Sequence, residues 1–379
     1  MKAYNETWVE NLANKLSLNE WFKKGLISQA ELEKCNEEVS EDFYDPNWFI
    51  KIGLFLFTGI AISFSSGIFL SLLGLGSNNI TIGVFLVIFS VLSFIVLEYL
   101  IKRNKLYRSG IDNALLYSAI GFLFTGILSF FNFDFVDYLY PLLFLAILTP
   151  ALIRYADLLV SFGVFVSLFL FIFLFSNTFS WGKTLLPFIM MAISAAVYFI
   201  SKAQKKFIYY ADEQFVIETL ALAVFYLSGN YFVVREANAL LNNQSPSVEI
   251  PFSLIFWIFT FLLPLFYLYF GARKKQRNAI ILGLLGLGFS VFTYRNYYSV
   301  MPIEWALTVG GLILIGVSVF GIKYFKTPKF NLSSEAEEQG KLQKLETILV
   351  AQAFQVKTPD ETFKFGGGDA GGAGADGKY

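Results

Sequence analysis

The sequence contains no histidine and a single cysteine, and only 15% of its 379 residues are charged. The lack of histidine excludes Ser-His and Cys-His catalysis and every histidine-based metal site. One cysteine, Cys35, cannot form a disulfide within the chain. No Walker or dinucleotide-binding glycine pattern stands between a strand and a helix. The sequence therefore predicts no catalytic residue, metal or cofactor, and it favours no class of enzyme.

Apolar residues dominate what is present. Hydrophobic residues make up 56% of the chain, and 44 of them are phenylalanine, which leaves too little polar surface for a water-soluble fold. A membrane-spanning helix needs about 20 apolar residues, because the hydrocarbon layer is about 30 Å thick. The sequence predicts an all-α, polytopic transmembrane bundle in a lipid bilayer, with ten spans near 49–73, 80–101, 111–131, 135–153, 157–175, 183–201, 213–234, 250–270, 279–294 and 303–322.

The basic residues of the loops predict the orientation of these spans. Lysine and arginine near span ends are retained on the cytoplasmic side. The loops after the second, fourth, sixth and eighth spans hold Lys102, Arg103, Lys105, Arg108, Arg154, Lys202, Lys205, Lys206, Arg273, Lys274, Lys275 and Arg277. The opposite loops hold Lys183, Arg235 and Arg295. Both termini are therefore expected in the cytoplasm. Because the basic residues lie beside apolar segments and the formal net charge is zero, no nucleic-acid partner is predicted.

The first 45 residues predict a small cytoplasmic helical hairpin. Apolar residues at helical spacing over 8–22 indicate one helix, which Gly25 can end in a left-handed conformation. Ser28 and Glu31 form a capping-box pattern that begins a second helix over 29–39. A unit this small buries little surface, so it must rest on the bundle or on a protein partner. The sequence leaves both open.

The chain is expected to end in two further cytoplasmic segments after the bundle at 46–325. Residues 326–356 predict an amphipathic helix, which a second capping-box pattern opens at Ser334. Residues 357–379 are rich in glycine and predict a flexible tail that a protein partner could bind. The sequence does not decide whether the chain forms a homo-oligomer.

Two motifs resemble a family of uncharacterised bacterial integral membrane proteins that is classed as a domain of unknown function. WFKKGLISQAELE at 21–33 is similar to the start of those proteins, where a short N-terminal hairpin precedes many spans. YRNYYSVMPIEWAL at 294–307 is similar to their ending. The resemblance implies the architecture and a bacterial inner (cytoplasmic) membrane, and it implies no activity.

Small residues at four-residue steps predict close helix contacts in two spans. The first stripe consists of Gly59, Ser63 and Gly67, and the second of Gly121, Thr125 and Ser129. Pro264 lies well inside the eighth span, where it is expected to kink the helix.

Few ionisable residues lie at membrane depth, and each is a candidate functional residue because its burial is costly. The candidates are Glu218, Asn230, Arg235, Glu236, Arg295 and Glu304, of which Arg295 and Glu304 are placed to pair. The alternative is that these groups snorkel to the interface or form ion pairs that close helical hairpins.

Two classes of function follow from this inventory. An assembly or regulatory protein needs cytoplasmic docking segments, which the N-terminal hairpin and the C-terminal tail supply. A transporter or lipid-handling protein needs a polar path, for which Glu218 is the leading candidate. A polar cavity beside Glu218 would favour transport, and a closed, dry bundle would favour assembly.

Overall fold

A computed structural model describes residues 2–72, 78–179, 181–203 and 207–298, together with single positions between 302 and 323. The predicted span at 303–322 lies almost wholly outside these residues, and the expected helix at 326–356 and tail at 357–379 lie outside them entirely. The chain divides into two units, Met1–Thr308 and Val309–Tyr379, and the helices with described bounds all lie in the first unit.

The described residues form twelve α-helices and no β-strand, in agreement with the predicted all-α fold. The helices are α1 (Glu6–Lys23), α2 (Gln29–Glu38), α3 (Trp48–Leu72), α4 (Asn79–Asn104), α5 (Ile111–Phe130), α6 (Leu139–Tyr155), α7 (Leu158–Ser176), α8 (Gly182–Ala203), α9 (Ala211–Gly229), α10 (Tyr231–Leu241), α11 (Ser253–Lys274) and α12 (Arg277–Tyr297). As expected, α2 begins at Gln29 behind a capping box of Ser28 and Glu31, and Gly25 in the preceding turn has a positive φ of 68°.

Seven described helices are long and apolar enough to cross a membrane, as in a multi-pass membrane protein. They are α3, α4, α5, α7, α8, α11 and α12. Helix α6 has only 17 residues, and α9 and α10 replace the single predicted span at 213–234 with two helices that meet at 74°. Ten spans are therefore not confirmed. The described residues contain seven, or eight if the bent pair is one span.

Sequential helices pack against each other and return the chain, so the loops alternate between two ends of the bundle. The end that carries the N-terminal segment also carries the loops after α4, α6, α8 and α11, and we call it the N face. The Ala3 N–H donates to the Arg154 carbonyl at 2.8 Å there, and the Tyr198 hydroxyl donates to the Gln276 side chain at 3.0 Å. The other end, the opposite face, carries the loops after α3, α5, α7 and α10.

One close helix contact involves two glycines that were not predicted to make it. A Cβ on Gly83 of α4 would lie 2.9 Å from the Gly126 carbonyl oxygen of α5. By contrast, nothing lies within 4 Å of a Cβ added at Gly59, Gly67 or Gly121. The prediction of close contacts at those three glycines was wrong. Helix α3 has no buried residue, so its glycine stripe faces outward instead of a neighbouring helix.

We expect Gly83→Ala to lower the midpoint of thermal unfolding in detergent by several degrees. The added methyl group must push backbone atoms of α5 away, and overpacking of this kind costs about 1–3 kcal/mol. Gly121→Ala is the matched control, because its methyl group enters open space and alanine favours the helix. Its midpoint should stay unchanged or rise. Equal effects of the two substitutions would contradict the helix contact.

Candidate functional site

The bundle contains a helix break at Asn230, between α9 and α10. A break leaves backbone N–H groups without helical partners, and no water is present in a hydrocarbon layer to satisfy them. The Asn230 side chain is fully buried and caps α10 by accepting from the Val233 N–H at 3.2 Å. The freed N–H of Tyr231 donates to the Thr260 hydroxyl of α11 at 2.9 Å. The break is thus satisfied by side chains.

Polar side chains from three helices form one network around this break, which we call the break network. It consists of Tyr226, Asn230, Thr260, Ser290 and Thr293, all of them buried. The Asn230 amide donates to the Tyr226 hydroxyl at 3.1 Å and to the Thr293 hydroxyl at 3.2 Å. The Tyr226 hydroxyl donates onward to the Gly286 carbonyl at 2.8 Å. The polar atoms satisfy one another, which is how buried networks become rigid.

Pro264 creates a second gap in hydrogen bonding, and the same network fills it. Proline has no N–H, so the carbonyl of Thr260, four residues earlier, loses its helical donor. The Ser290 hydroxyl of α12 donates to this carbonyl at 2.5 Å. Pro264 lies inside α11, as the sequence indicated, and it ties α11 to α12 through the carbonyl that it frees.

Arg235 and Glu236 lie on α10 towards the opposite face, and each side chain forms hydrogen bonds to neighbouring elements. The Arg235 guanidinium donates to the Tyr231 hydroxyl at 2.8 Å and to the Ser247 carbonyl at 2.9 Å. The Glu236 carboxylate accepts from the Tyr297 hydroxyl at 2.6 Å. The Glu236 carboxylate also accepts from the Ser247 hydroxyl at 2.8 Å, so these contacts hold the α10–α11 loop and the end of α12 together.

Of the other predicted residues, Glu218 and Arg295 do not join this region. Glu218 is buried in α9, and its Oε1 atom has no hydrogen-bond partner. It stands 12 residues before Asn230, which is about 18 Å along a helix. Arg295 is half-buried in the last turn of α12. Its expected partner Glu304 lies outside the described residues.

The N face carries a denser group of polar side chains, most of them buried or half-buried, that sequence reasoning did not select. We call it the N-face cluster, and it consists of Tyr4, Arg108, Ser109, Asp112, Asn113, Tyr117, Asp157, Asp212 and Glu213. Asp112 is its centre and is 1% exposed. Its carboxylate accepts from the Tyr4 hydroxyl at 2.8 Å. It also accepts from the backbone N–H groups of Arg108, at 2.8 Å, and Ser109, at 2.9 Å.

Arg108 connects the two halves of this cluster. Its guanidinium lies 2.7 Å from carboxylate oxygens of both Asp212 and Glu213, in the first turn of α9. It also donates to the Ala156 carbonyl at 3.3 Å. Burial lowers the pKa of Arg108, but the neighbouring Tyr107 and the two carboxylates outweigh burial, so the pKa is raised and the group stays charged. One side chain thus joins the α4–α5 loop, the α6–α7 turn and α9.

Asp157 completes the cluster at the start of α7. Its carboxylate caps that helix by accepting from the Val160 N–H at 2.9 Å. It also accepts from the Asn113 amide at 2.7 Å and from the Tyr117 hydroxyl at 2.9 Å, both on α5. The carboxylate therefore ties α7 to α5 while it caps α7.

Residues of this cluster were noticeable in the sequence, but their pattern was interpreted in another way. Asp157 stood at the start of a predicted span and was not selected as a candidate, and Arg108 was counted only as an orientation signal. The carboxylates come from segments 45 to 100 residues apart, so no local spacing reveals that they meet. A cluster of span-end carboxylates with one arginine on the same side of the membrane was the available indication.

The N-terminal segment docks on this cluster and anchors the hairpin. Tyr4 and Val9 are buried in the same apolar core as Leu116 and Tyr155. Burial raises the pKa of Tyr4 well above its usual value, and Asp112 raises it further, so the hydroxyl stays a donor. Its contribution to docking is therefore present below the usual tyrosine pKa of about 10 and is lost only at higher pH. Of the two alternatives for the hairpin, docking on the bundle is observed for its first residues.

The far end of the hairpin is different, because it exposes large apolar side chains. The exposed fractions are 63% for Leu16, 50% for Trp21, 39% for Phe22 and 68% for Leu26. Helix α2 has no buried residue. We call these four side chains the hairpin tip. The hairpin is thus fixed at its root and apolar at its tip.

We expect Tyr4→Phe to speed backbone hydrogen exchange in residues 5–10 by at least about tenfold. The substitution removes one hydrogen bond to a buried carboxylate, and such bonds contribute about 1.5–3 kcal/mol. Tyr44→Phe is the control, because Tyr44 is half-exposed and uses only its backbone in the structure. Exchange rates that are the same in Tyr4→Phe and in the unsubstituted protein would show that this bond does not hold the root.

Comparison with known proteins does not narrow the possible functions of this chain. No family model, curated protein or solved structure matches this chain. The likeness of the two motifs to bacterial membrane proteins of unknown function stays a prediction. The function is therefore argued from the chain's own residues.

Proposed function

We propose that this protein is a membrane assembly or regulatory component that holds a protein partner on its N-terminal hairpin. The observation that carries the proposal is the contrast between the two ends of the hairpin. Its root is held by the Ala3 and Tyr4 hydrogen bonds, and its tip exposes Trp21, Phe22 and Leu26. Exposed apolar groups on a polar segment mark interaction sites. An anchored arm with such a tip suits recruitment of a partner.

The interior of the bundle supports the same proposal. The break network is satisfied by its own side chains, and Glu218 lines none of five cavities that the described residues form. Those cavities are lined mainly by apolar residues. A satisfied network and apolar cavities favour assembly over passage of a solute. The second docking segment expected at 357–379 stays a prediction.

Cross-linking in cells tests the partner directly. A photoreactive amino acid at Trp21 or Leu26 should give one discrete protein adduct, because the tip is accessible and apolar. The same group at Glu37, which is exposed on α2, is the control and should not give that adduct. Leu16→Ser should weaken the adduct formed from Leu26. Adducts only to lipid or to this chain's own bundle would contradict partner recruitment.

The proposal places both termini in the cytoplasm of a bacterium, with the bundle in the inner membrane. Its support is the excess of basic residues in the loops of the N face. In a Cys35→Ser background, cysteines at Asn78, Asn243 and Tyr298 should react with an impermeant thiol reagent added to intact cells. Cysteines at Asn104 and Gln276 should react only after lysis. The reverse pattern would invert the orientation, and the hairpin would then face away from cytoplasmic partners.

Transport is the second candidate function, and two observations favour it. Broken helices such as α9–α10 form binding sites at the midplane in many transporters. A transporter or lipid-handling protein would also give a role to the buried carboxylate of Glu218, whose Oε1 atom has no hydrogen-bond partner.

The accessibility of position 218 separates the two candidates. In the Cys35→Ser background, Glu218→Cys should resist a small, water-soluble thiol reagent in the native protein, because no described cavity reaches the residue. Phe215→Cys, at an exposed position of α9, controls for lipid-facing sites. Rapid labelling at position 218 alone would demonstrate a hydrated path and would favour transport.

A further inference from the structure

A groove lies at the N face between α6, α8 and α9, with a volume of about 420 Å³. Its walls include Ile153, Val197, Ile200 and Ile217. Ile153 and Ile200 are 58% and 60% exposed, so the groove opens on the outer surface of the bundle. The outer surface of apolar helices faces lipid. The volume is in the range of pockets that hold small molecules.

One end of the groove contains an incompletely satisfied carboxylate. Glu213 lines the groove and is 2% exposed. Its Oε1 atom accepts from Arg108 at 2.7 Å, whereas its Oε2 atom is buried without a hydrogen-bond partner. A buried acceptor without a donor is costly and requires an explanation. A donor from a bound molecule would remove that cost.

The surroundings of Glu213 also have too little positive charge. Three of the four carboxylates in the N-face cluster, those of Asp112, Asp157 and Glu213, are buried, and the fourth, Asp212, is exposed. Among the described residues, only Arg108 forms an ion pair with any of them. Buried charges are stable only when they are paired and hydrogen-bonded. A ligand that places an ammonium group beside Glu213 therefore suits this place better than one without a cationic group.

The aromatic residues at the mouth of the groove already hold an ammonium group. Phe207 and Tyr210 line the groove, and Tyr209 is adjacent in the chain. The Lys2 Nζ atom lies 5.6, 5.4 and 4.5 Å from the ring centres of Phe207, Tyr210 and Tyr209, respectively. Aromatic faces attract cations at such distances. The entrance thus favours the same charge that Glu213 needs.

We propose that this groove binds a membrane lipid whose headgroup carries a primary ammonium. The ammonium donates to Glu213 Oε2, and one acyl chain lies along Ile153, Val197 and Ile200. A choline headgroup has the same charge but no N–H, so it cannot satisfy the carboxylate oxygen. A soluble diamine has the N–H groups but leaves the apolar walls without contact. The site is independent of partner binding at the hairpin tip.

Native mass spectrometry of the full chain in detergent tests this site. Dioleoyl phosphatidylethanolamine, phosphatidylcholine and phosphatidylglycerol are added together in equal amounts. We expect the ethanolamine lipid to be retained at least about fivefold over either competitor. Glu213→Gln should abolish that preference. Asp212→Asn is the matched control, because Asp212 pairs with the same arginine but does not line the groove, and it should keep the preference.

A second pair of variants tests the groove without altering charge. Ile200→Trp fills the groove from an exposed position and should remove the preference, whereas Leu185→Trp on the same helix should keep it. Equal retention of the three lipids, or an ethanolamine preference that survives both Glu213→Gln and Ile200→Trp, would overturn the proposal. Displacement of the lipid by millimolar putrescine would also overturn it, because the site would then recognise a soluble amine.

Discussion

The pairing of Arg108 with Glu213 is the interaction on which the N face depends. Glu213 is almost fully buried at the start of α9, and a carboxylate there is stable only with a cation beside it. Arg108 supplies that cation from a loop, and the same loop presents Asp112 to Tyr4. The turn between α6 and α7 and the polar end of the groove therefore depend on one guanidinium group, and the hairpin root depends on the loop that carries it. Removing it would leave several elements without a common contact.

The helix break obeys the same constraint inside the bundle, with neutral groups instead of charges. Asn230 and Pro264 each interrupt a helix, and each interruption frees a backbone group that lipid cannot satisfy. Thr260 and Ser290 are the side chains that bond to these two groups. The two clusters differ in consequence. The break network satisfies itself, which supports a rigid bundle, whereas the N-face cluster retains an acceptor without a donor at Glu213 Oε2, and that unsatisfied oxygen points to a ligand.

Much of the fold could be predicted from the sequence, because a spanning helix is a local property of about 20 residues. The boundaries of α4, α5 and α8 agree with the apolar segments to within a few residues, and the capping box at Ser28 places α2. The break at Asn230 was not predicted, since its hydrogen-bond partners on α11 and α12 are distant in the chain. The N-face cluster was missed for the same reason: Asp112, Asp157 and Glu213 meet only through tertiary packing.

A double-mutant cycle on Arg108 and Glu213 tests the central interaction most directly. Thermal and denaturant unfolding in detergent would give the stability of Arg108→Ala, of Glu213→Gln and of the combined variant. We expect Arg108→Ala to lose about 3 kcal/mol, because it leaves a buried carboxylate unpaired, and the added Glu213→Gln to recover a large part of that loss. Arg103→Ala, at an exposed position near the end of α4, should change little. Additive effects of the two substitutions would show that the pair does not hold the N face together.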